Sequence, residues 1–248
     1  MLDHKGPPPV ISGFTYLERL GAGGYSTVYL FEQHMPRREV AVKVMNADVE
    51  DKTASRFESE ANLMARVSSH PAILSIYGAG VSADGHPFLV MEYCPPPQLG
   101  AILRQGPLNV AETLSTAIQI AGAVETAHRA GIVHRDIKPA NVLLSSRPSR
   151  GGDPAETVIV GVAPGGEVPE TVVPRLADFG VARICDTFSA SHITGAIGTP
   201  LYMAPEILSL QAPTSAADIY SLGIMLYEMV CGTTPFVGQP AQLLSQHA

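Results

Sequence analysis

The chain has 248 residues, 46% hydrophobic and 16% charged, enough apolar material for a sizeable core and no case for global disorder. Sixteen Lys and Arg against 23 Asp and Glu leave a formal net charge of −7, which argues against a general affinity for nucleic acid or an anionic membrane. Cys94, Cys185 and Cys231 are too few and too scattered for a disulfide framework or a zinc site, so a reducing compartment fits best.

Residues 1–13 open on a polar, proline-rich stretch with no apolar run of signal-peptide type, and read as a flexible leader. From Phe14 the pattern turns to short apolar runs broken by turns. Phe14–Leu20, Thr27–Phe31 and Glu39–Met45 are β-branched and aromatic-rich and are predicted strands. Thr53–Val67 carries Phe57, Ala61, Met64 and Val67 at helical spacing. Two more strands are predicted around Leu74–Gly80 and Pro87–Glu92, and Pro95-Pro96-Pro97 marks a boundary.

The signal then becomes helical. Asn109 with Glu112 three residues on is a capping-box start, and Gly131 a natural stop. Between them Leu114, Ala117, Ile118, Ala121, Val124 and His128 are expected to share the buried face. Ser145 to Pro174 reads as loop, in which Thr157–Val162 and Thr171–Val173 flank Pro164-Gly165-Gly166 as a hairpin. Asp218–Val230 is apolar almost all round, which predicts a buried helix. It is too short to span a bilayer and carries Glu228, so no membrane segment is expected. A small β-rich half followed by a larger helical half is an α+β architecture with a cleft between the halves.

Several polar groups stand out against this background. Gly21-Ala22-Gly23-Gly24-Tyr25-Ser26-Thr27-Val28 lies between two strands, which disfavours a dinucleotide fold and suits a hairpin whose N–H groups approach a phosphate. Taken alone, a glycine-rich turn is more often only a turn. Lys43 sits among the alternating apolar residues of the third strand, where the bland reading is a charged edge strand. Glu60 on the following helix is a candidate ion-pair partner, or a solvated glutamate. Asp136, Lys138 and Asn141 crowd a carboxylate, an ammonium and an amide directly after a buried helix. Asp178-Phe179-Gly180 adds a second carboxylate after a strand-like Val173–Ala177. The Asn141 amide and Asp178 carboxylate suit a hard ion such as Mg²⁺ that keeps phosphate and water in its shell.

Taken in order, these residues and Ala204-Pro205-Glu206 resemble a eukaryotic-type Ser/Thr protein kinase catalytic domain of the sort also found in bacteria. The resemblance runs from Phe14 to about Phe236. It implies a bilobal fold: a small antiparallel N-lobe sheet with one helix over about 14–93, then a mainly helical C-lobe over about 94–248. It also implies ATP and Mg²⁺, with Mn²⁺ as a substitute, and transfer of the γ-phosphate to Ser or Thr hydroxyls of proteins, this chain included through self-association.

Residue by residue, Gly21, Gly23 and their loop would cover the phosphates, with Ser26 replacing the third glycine. Lys43, held by Glu60, would neutralise the α- and β-phosphates; Asn141 and Asp178 would bind the metal; Asp136 would take or orient the hydroxyl proton; Lys138 would steady the γ-phosphate. Aspartates are feeble bases at neutral pH, so most of the rate is expected from positioning and electrostatics. Leu20, Val28, Ala41 and Leu143 would sandwich adenine, the backbone at Glu92 and Cys94 would bond its edge, and Met91 would be the gatekeeper. Met64, Ile76, His134 and Phe179 would form a stacked spine above Asp218, which makes His134 a core histidine. Lys138 and Gly198-Thr199 favour Ser/Thr over Tyr acceptors. Arg135 points to control by a phosphate on the segment before Glu206, with Thr194 first and Thr187, Ser189 and Ser191 behind it.

The chain departs from the family in two places. An insertion over about 145–173 lengthens the stretch between Asn141 and Asp178, which an exposed loop tolerates at little entropic cost. The sequence also stops where the family continues into further helices that normally supply an arginine to the residue at Glu206, so uncovered apolar surface is expected. A nucleotide-binding scaffold or fragment with weak or no turnover is therefore the competing reading, and a small-molecule kinase of related fold a weaker one.

Overall fold

The computed structural model describes residues 8–23, 26–46, 51–147, 171–179, 200–208 and 211–247. The chain divides into two compact units: Met1–Arg66 with Ser75–Tyr93 in the first, Val67–Leu74 with most of the remainder in the second.

In the first unit, β1 (Phe14–Ala22), β2 (Ser26–His34), β3 (Arg37–Met45), β4 (Ile76–Val81) and β5 (Pro87–Glu92) form one antiparallel sheet. Its strand order is β1-β2-β3-β5-β4. Helix α1 (Asp51–Val67) lies between β3 and β4 in sequence and buries Phe57, Ala61, Met64 and Val67, the residues its periodicity singled out. Alternation along the strands sorts side chains onto two faces. One face gathers Tyr29, Phe31, Val40, Val42, Val44, Phe88 and Val90 into a cluster with Ile11, and Phe14 packs against it. Pro9 and Ile11 are buried, so the core draws on residues that read as flexible leader. The opposite face follows from the register, which aligns Val28, Lys43 and Leu89 across three strands, then Leu30, Ala41 and Met91.

The second unit contains α2 (Leu99–Leu103), α3 (Val110–Arg129), β6 (Val142–Arg147), β7 (Thr171–Leu176), α4 (Pro205–Leu208), α5 (Ser215–Cys231) and α6 (Pro240–His247). The capping box at α3 forms as expected: Asn109 Oδ1 accepts from Glu112 N at 2.9 Å, and Asn109 N donates to Glu112 Oε2 at 3.1 Å. The helix ends at Gly131, whose φ of 77° is the left-handed conformation a glycine terminator supplies.

The structure departs from two expectations, the buried face of α3 and the all-round burial of α5. The buried face of α3 comprises Thr113, Thr116, Ala117, Ile120, Ala123, Val124 and Ala127, whereas Leu114 and Ile118 are 56% and 72% exposed. The inward stripe is one of small and β-branched residues, which lets α5 pack against α3 at close range, so side-chain bulk points to the wrong face. Thr171–Val173 belongs to β7, which pairs with β6 from Val142↔Leu176 to Arg147↔Thr171. Its expected hairpin partner Thr157–Val162 lies outside the described residues, as does most of the 145–173 insertion. Helix α5 buries Asp218, Leu222, Ile224, Met225 and Met229 but leaves Ile219, Tyr227 and Val230 about half exposed, so one of its flanks meets solvent.

The corrected face makes a test. Ile120→Ala should lower unfolding free energy by about 2–5 kcal/mol, as a fully buried isoleucine does. Ile118→Ala should stay within about 0.5 kcal/mol of wild type, as exposed sites do. Denaturant melts of the two variants read the difference directly, and equal losses would return the buried face to the pattern of side-chain bulk.

Candidate active site

In the first unit, the glycine-rich turn joins β1 to β2. Gly23 N donates to Ser26 O at 2.8 Å, closing the hairpin, and Gly21 faces Val28 across the ladder with open space where a Cβ would sit. Gly24 and Tyr25 lie outside the described residues. Leu20 is exposed and Val28 half-buried beside this turn. Lys43 is on β3, the central strand, and only 6% of it reaches solvent. The edge-strand reading fails on that position: a buried ammonium on a central strand is there to meet negative charge. Ala41 shares its face one register step away. Glu60 is on α1, with its side chain outside the described residues. Glu92 ends β5, its N–H donating to Ser75 O at 2.9 Å, and the half-buried Cys94 follows two residues on. Met91 is buried.

In the second unit, chemistry-bearing groups hang from one buried carboxylate. Asp218, on the first turn of α5, is 1% exposed. Its Oδ2 accepts from His134 N at 2.7 Å and from His128 Nε2 at 2.8 Å, and its Oδ1 accepts from Arg135 N at 2.8 Å. A buried anion without such donors would cost several kcal/mol, so the arrangement fixes the loop as firmly as the loop solvates the charge. Arg135 takes a φ of 72°, a left-handed conformation that costs a residue other than glycine roughly 1–2 kcal/mol. The bond from its amide to Asp218 offsets that strain.

His134 is buried, donates from Nε2 to Ala177 O at 2.8 Å, and accepts from Asp136 N at Nδ1 over 3.2 Å. Burial lowers its pKa below the usual imidazole value of 6.5, against the opposing pull of Asp218. Both ring nitrogens are used in the neutral tautomer, and Phe179 stacks edge to face at 4.6 Å, as a core histidine requires. Asp136 then projects with half its side chain in solvent. Lys138 Nζ reaches its Oδ1 at 2.8 Å, and Asn141 Nδ2 donates to its Oδ2 at 2.9 Å and to its backbone O at 2.7 Å. The 3₁₀ turn Pro139–Asn141 carries Asn141 into β6, and Ala177 N donates to Asn141 O at 2.8 Å, tying this loop to the residue before Asp178. Asp178 is half-buried with a φ of 68°, and Leu143 is half-buried on β6.

With its amide N–H committed to Asp136, Asn141 has its carbonyl oxygen left for a cation, and Asp178 offers a carboxylate. Among the described residues no group of three or more His, Cys, Asp or Glu could hold a metal ion. The Asn141 and Asp178 donor set fits a divalent ion of the Mg²⁺ type, which takes one or two protein oxygens and completes its shell with phosphate and water.

Two features of this site are not visible in the sequence. By periodicity His128 belongs to an apolar face, and its role as a donor to Asp218 shows only when α3 and α5 are brought together. The 3₁₀ turn Pro200–Tyr202 is also pinned to α5, by Tyr202 Oη to Glu228 Oε2 at 2.6 Å and Ser221 Oγ to Tyr202 O at 2.7 Å. Burial and the Glu228 carboxylate push the Tyr202 phenol far above its usual range, so it stays a donor. Glu206 forms no ion pair among the described residues. Gly180, Thr187, Ser189, Ser191, Thr194 and Gly198-Thr199 lie outside them.

Comparison with known proteins gives the chain a family. Residues 14–248 match the protein kinase domain, and the chain belongs to that family. It is 40% identical over 223 residues to the serine/threonine-protein kinase PknK of Mycobacterium tuberculosis, covering 89% of this chain and 18% of that protein. It is 36% identical to pkn2 of Myxococcus xanthus, over 95% of this chain and 26% of that one, and 32% identical to PknB of Mycobacterium leprae, over 97% and 36%. The chain thus spans about a fifth to a third of these relatives. Among solved structures, the kinase domain of Mycobacterium tuberculosis PknI, crystallised as a point mutant, superposes with a TM-score of 0.64 at 26% identity, covering 91% of this chain and 76% of that one. No helix among the described residues is long and apolar enough to cross a membrane.

His134 supplies a pH test. Its folded pKa is lowered, so its neutral form stabilises the fold fully above the unfolded value of 6.5, and that contribution is lost as pH falls below it. The melting temperature should therefore fall between pH 7 and pH 5, and the ring should stay neutral by NMR well below the point where an exposed histidine titrates. A ring that protonates at or above 6.5 would contradict the buried neutral assignment.

Proposed function

We propose that the chain is the catalytic domain of an ATP-dependent serine/threonine protein kinase acting in the cytoplasm on protein substrates, itself among them. The observation that carries this reading is Asp136, held at its carboxylate by Lys138 and Asn141 on a loop anchored to Asp218. The names of the relatives supply the Ser/Thr preference.

In this reading the acceptor hydroxyl oxygen bonds to the γ-phosphorus, the bond to the bridging oxygen breaks, and ADP leaves. The hydroxyl proton passes to Asp136 Oδ. Lys138, already within reach of that carboxylate, steadies the γ-phosphoryl oxygens and keeps Asp136 from turning away. Lys43 would meet the α- and β-phosphates, with Glu60 as its expected ion-pair partner, and Gly21 and Gly23 add no side chain of their own where a phosphate would approach. Asn141 and Asp178 would hold Mg²⁺, or Mn²⁺ in its place, and the ion would supply positive charge to offset that building on the phosphoryl oxygens. Leu20, Val28, Ala41 and Leu143 supply apolar contact for adenine, and the backbone at Glu92 and Cys94 its edge bonds. Arg135 is the cation that would pair with a phosphate on the activation segment, Thr194 being the first candidate to carry it.

The test is the intact mass of purified chain after incubation with Mg²⁺-ATP. Phosphate should be added to wild type and not to Asp136→Asn, whose ATP affinity should stay within about threefold because Asp136 acts on the acceptor side. Lys43→Met should reduce transfer by at least about a hundredfold. Wild-type chain that binds ATP and gains no mass would favour a nucleotide-binding scaffold instead.

A further inference from the structure

Gly100 is the second residue of α2, half-buried and helical, with no unusual backbone angle that would call for glycine. In such a position alanine is the better helix former. What glycine supplies is the missing side chain. A Cβ at Gly100 would lie 3.3 Å from Ala140 N, 3.4 Å from Pro139 C and 3.5 Å from Ala140 Cα. These are backbone atoms of the turn that carries Asn141, and they cannot swing aside as a flexible side chain would. The other helical glycines differ. Gly223 in α5 has nothing within 4 Å of such an atom, and Gly122 in α3 meets only the imidazole end of His70.

We propose that Gly100 is a positioning residue for phosphate transfer: its bare backbone lets α2 seat directly on Pro139–Ala140 and so fixes Asn141 beneath Asp136. The seat has few other ways to move. Leu99 and Leu103 are buried at the two ends of α2, holding it down, and α2 packs on both the 3₁₀ turn and β6. On the far side, Asn141 N donates to Lys138 O at 2.9 Å and Asn141 O accepts from Ala177 N at 2.8 Å. A displacement of a few tenths of an ångström at Ala140 therefore passes to the amide that bonds both Asp136 O and its Oδ2. The inference rests on the kinase reading above for its catalytic readout, but not for its structural one.

Two measurements on Gly100→Ala test it, with Gly223→Ala as the control and Gly100→Val as a more severe step. Hydrogen–deuterium exchange over residues 134–144, at a temperature where all variants are folded, should be faster in Gly100→Ala than in wild type and faster again in Gly100→Val. Gly223→Ala should match wild type. In the transfer assay, Gly100→Ala should lower kcat by about 3–10-fold with KM for ATP within about twofold, as expected for a small misplacement in a preassembled site. A purely structural glycine would change melting temperature while leaving kcat of the folded protein intact. Exchange over 134–144 and kcat both at wild-type values would overturn the proposal. Wild-type chain that transfers no phosphate would count against the kinase reading, while the exchange comparison would still decide the role of Gly100.

Discussion

The N–H groups of His134, Arg135 and His128 converge on the carboxylate of Asp218, and the organisation of the second unit's chemistry descends from that convergence. A charge this deeply buried has to be met by donors, and here they come from the loop and from α3 rather than from an arginine or lysine side chain. Satisfying it draws the loop into place: Arg135 adopts its left-handed conformation, and Asp136 is delivered to the surface with Lys138 and Asn141 around it. His134 extends the chain of bonds the other way, to Ala177 and so to the residue before Asp178. One carboxylate on α5 thereby sets the position of the proposed catalytic aspartate and braces the backbone leading to the second acidic group.

The first unit solves a different problem, namely keeping an ammonium inside a sheet. Its two faces divide the labour. One packs Tyr29, Phe31, Val40, Val42, Val44, Phe88 and Val90 under Ile11, which makes the sheet rigid. The other carries Val28, Ala41 and Lys43 in register, so that the lysine is set among apolar side chains and close to the glycine turn in the ladder. An exposed edge lysine would solvate itself; this one is 6% exposed, so the protein has to meet its charge.

Much of this is legible in the sequence because the candidate site residues come in ordered, short motifs. The strands of the first unit, α1 and the capping box of α3 also announce themselves by period and by end chemistry. What is not legible depends on packing. The inward face of α3 is lined with Thr, Ala, Val and a single Ile, and hydrophobic bulk points to Leu114 and Ile118 instead. The pairing of β6 with β7 is a contact across an insertion, which no local pattern encodes. The left-handed angle of Arg135 goes with its amide's bond to Asp218, neither it nor that of Asp178 is signalled by a glycine, and Gly100 looks in sequence like any glycine in a helix.

The most direct measurement is phosphate transfer by Asp218→Asn, compared with wild type at a temperature where circular dichroism shows both folded. An asparagine keeps one acceptor but loses the charge, and turns an N–H toward donors it cannot bond, weakening charge-assisted bonds worth about 1.5–3 kcal/mol each. Turnover should fall at least about tenfold, with faster hydrogen exchange at His134 and Arg135 and little change in ATP affinity. Turnover and exchange at wild-type levels would show that the loop holds itself in place, and would remove Asp218 from the centre of the account.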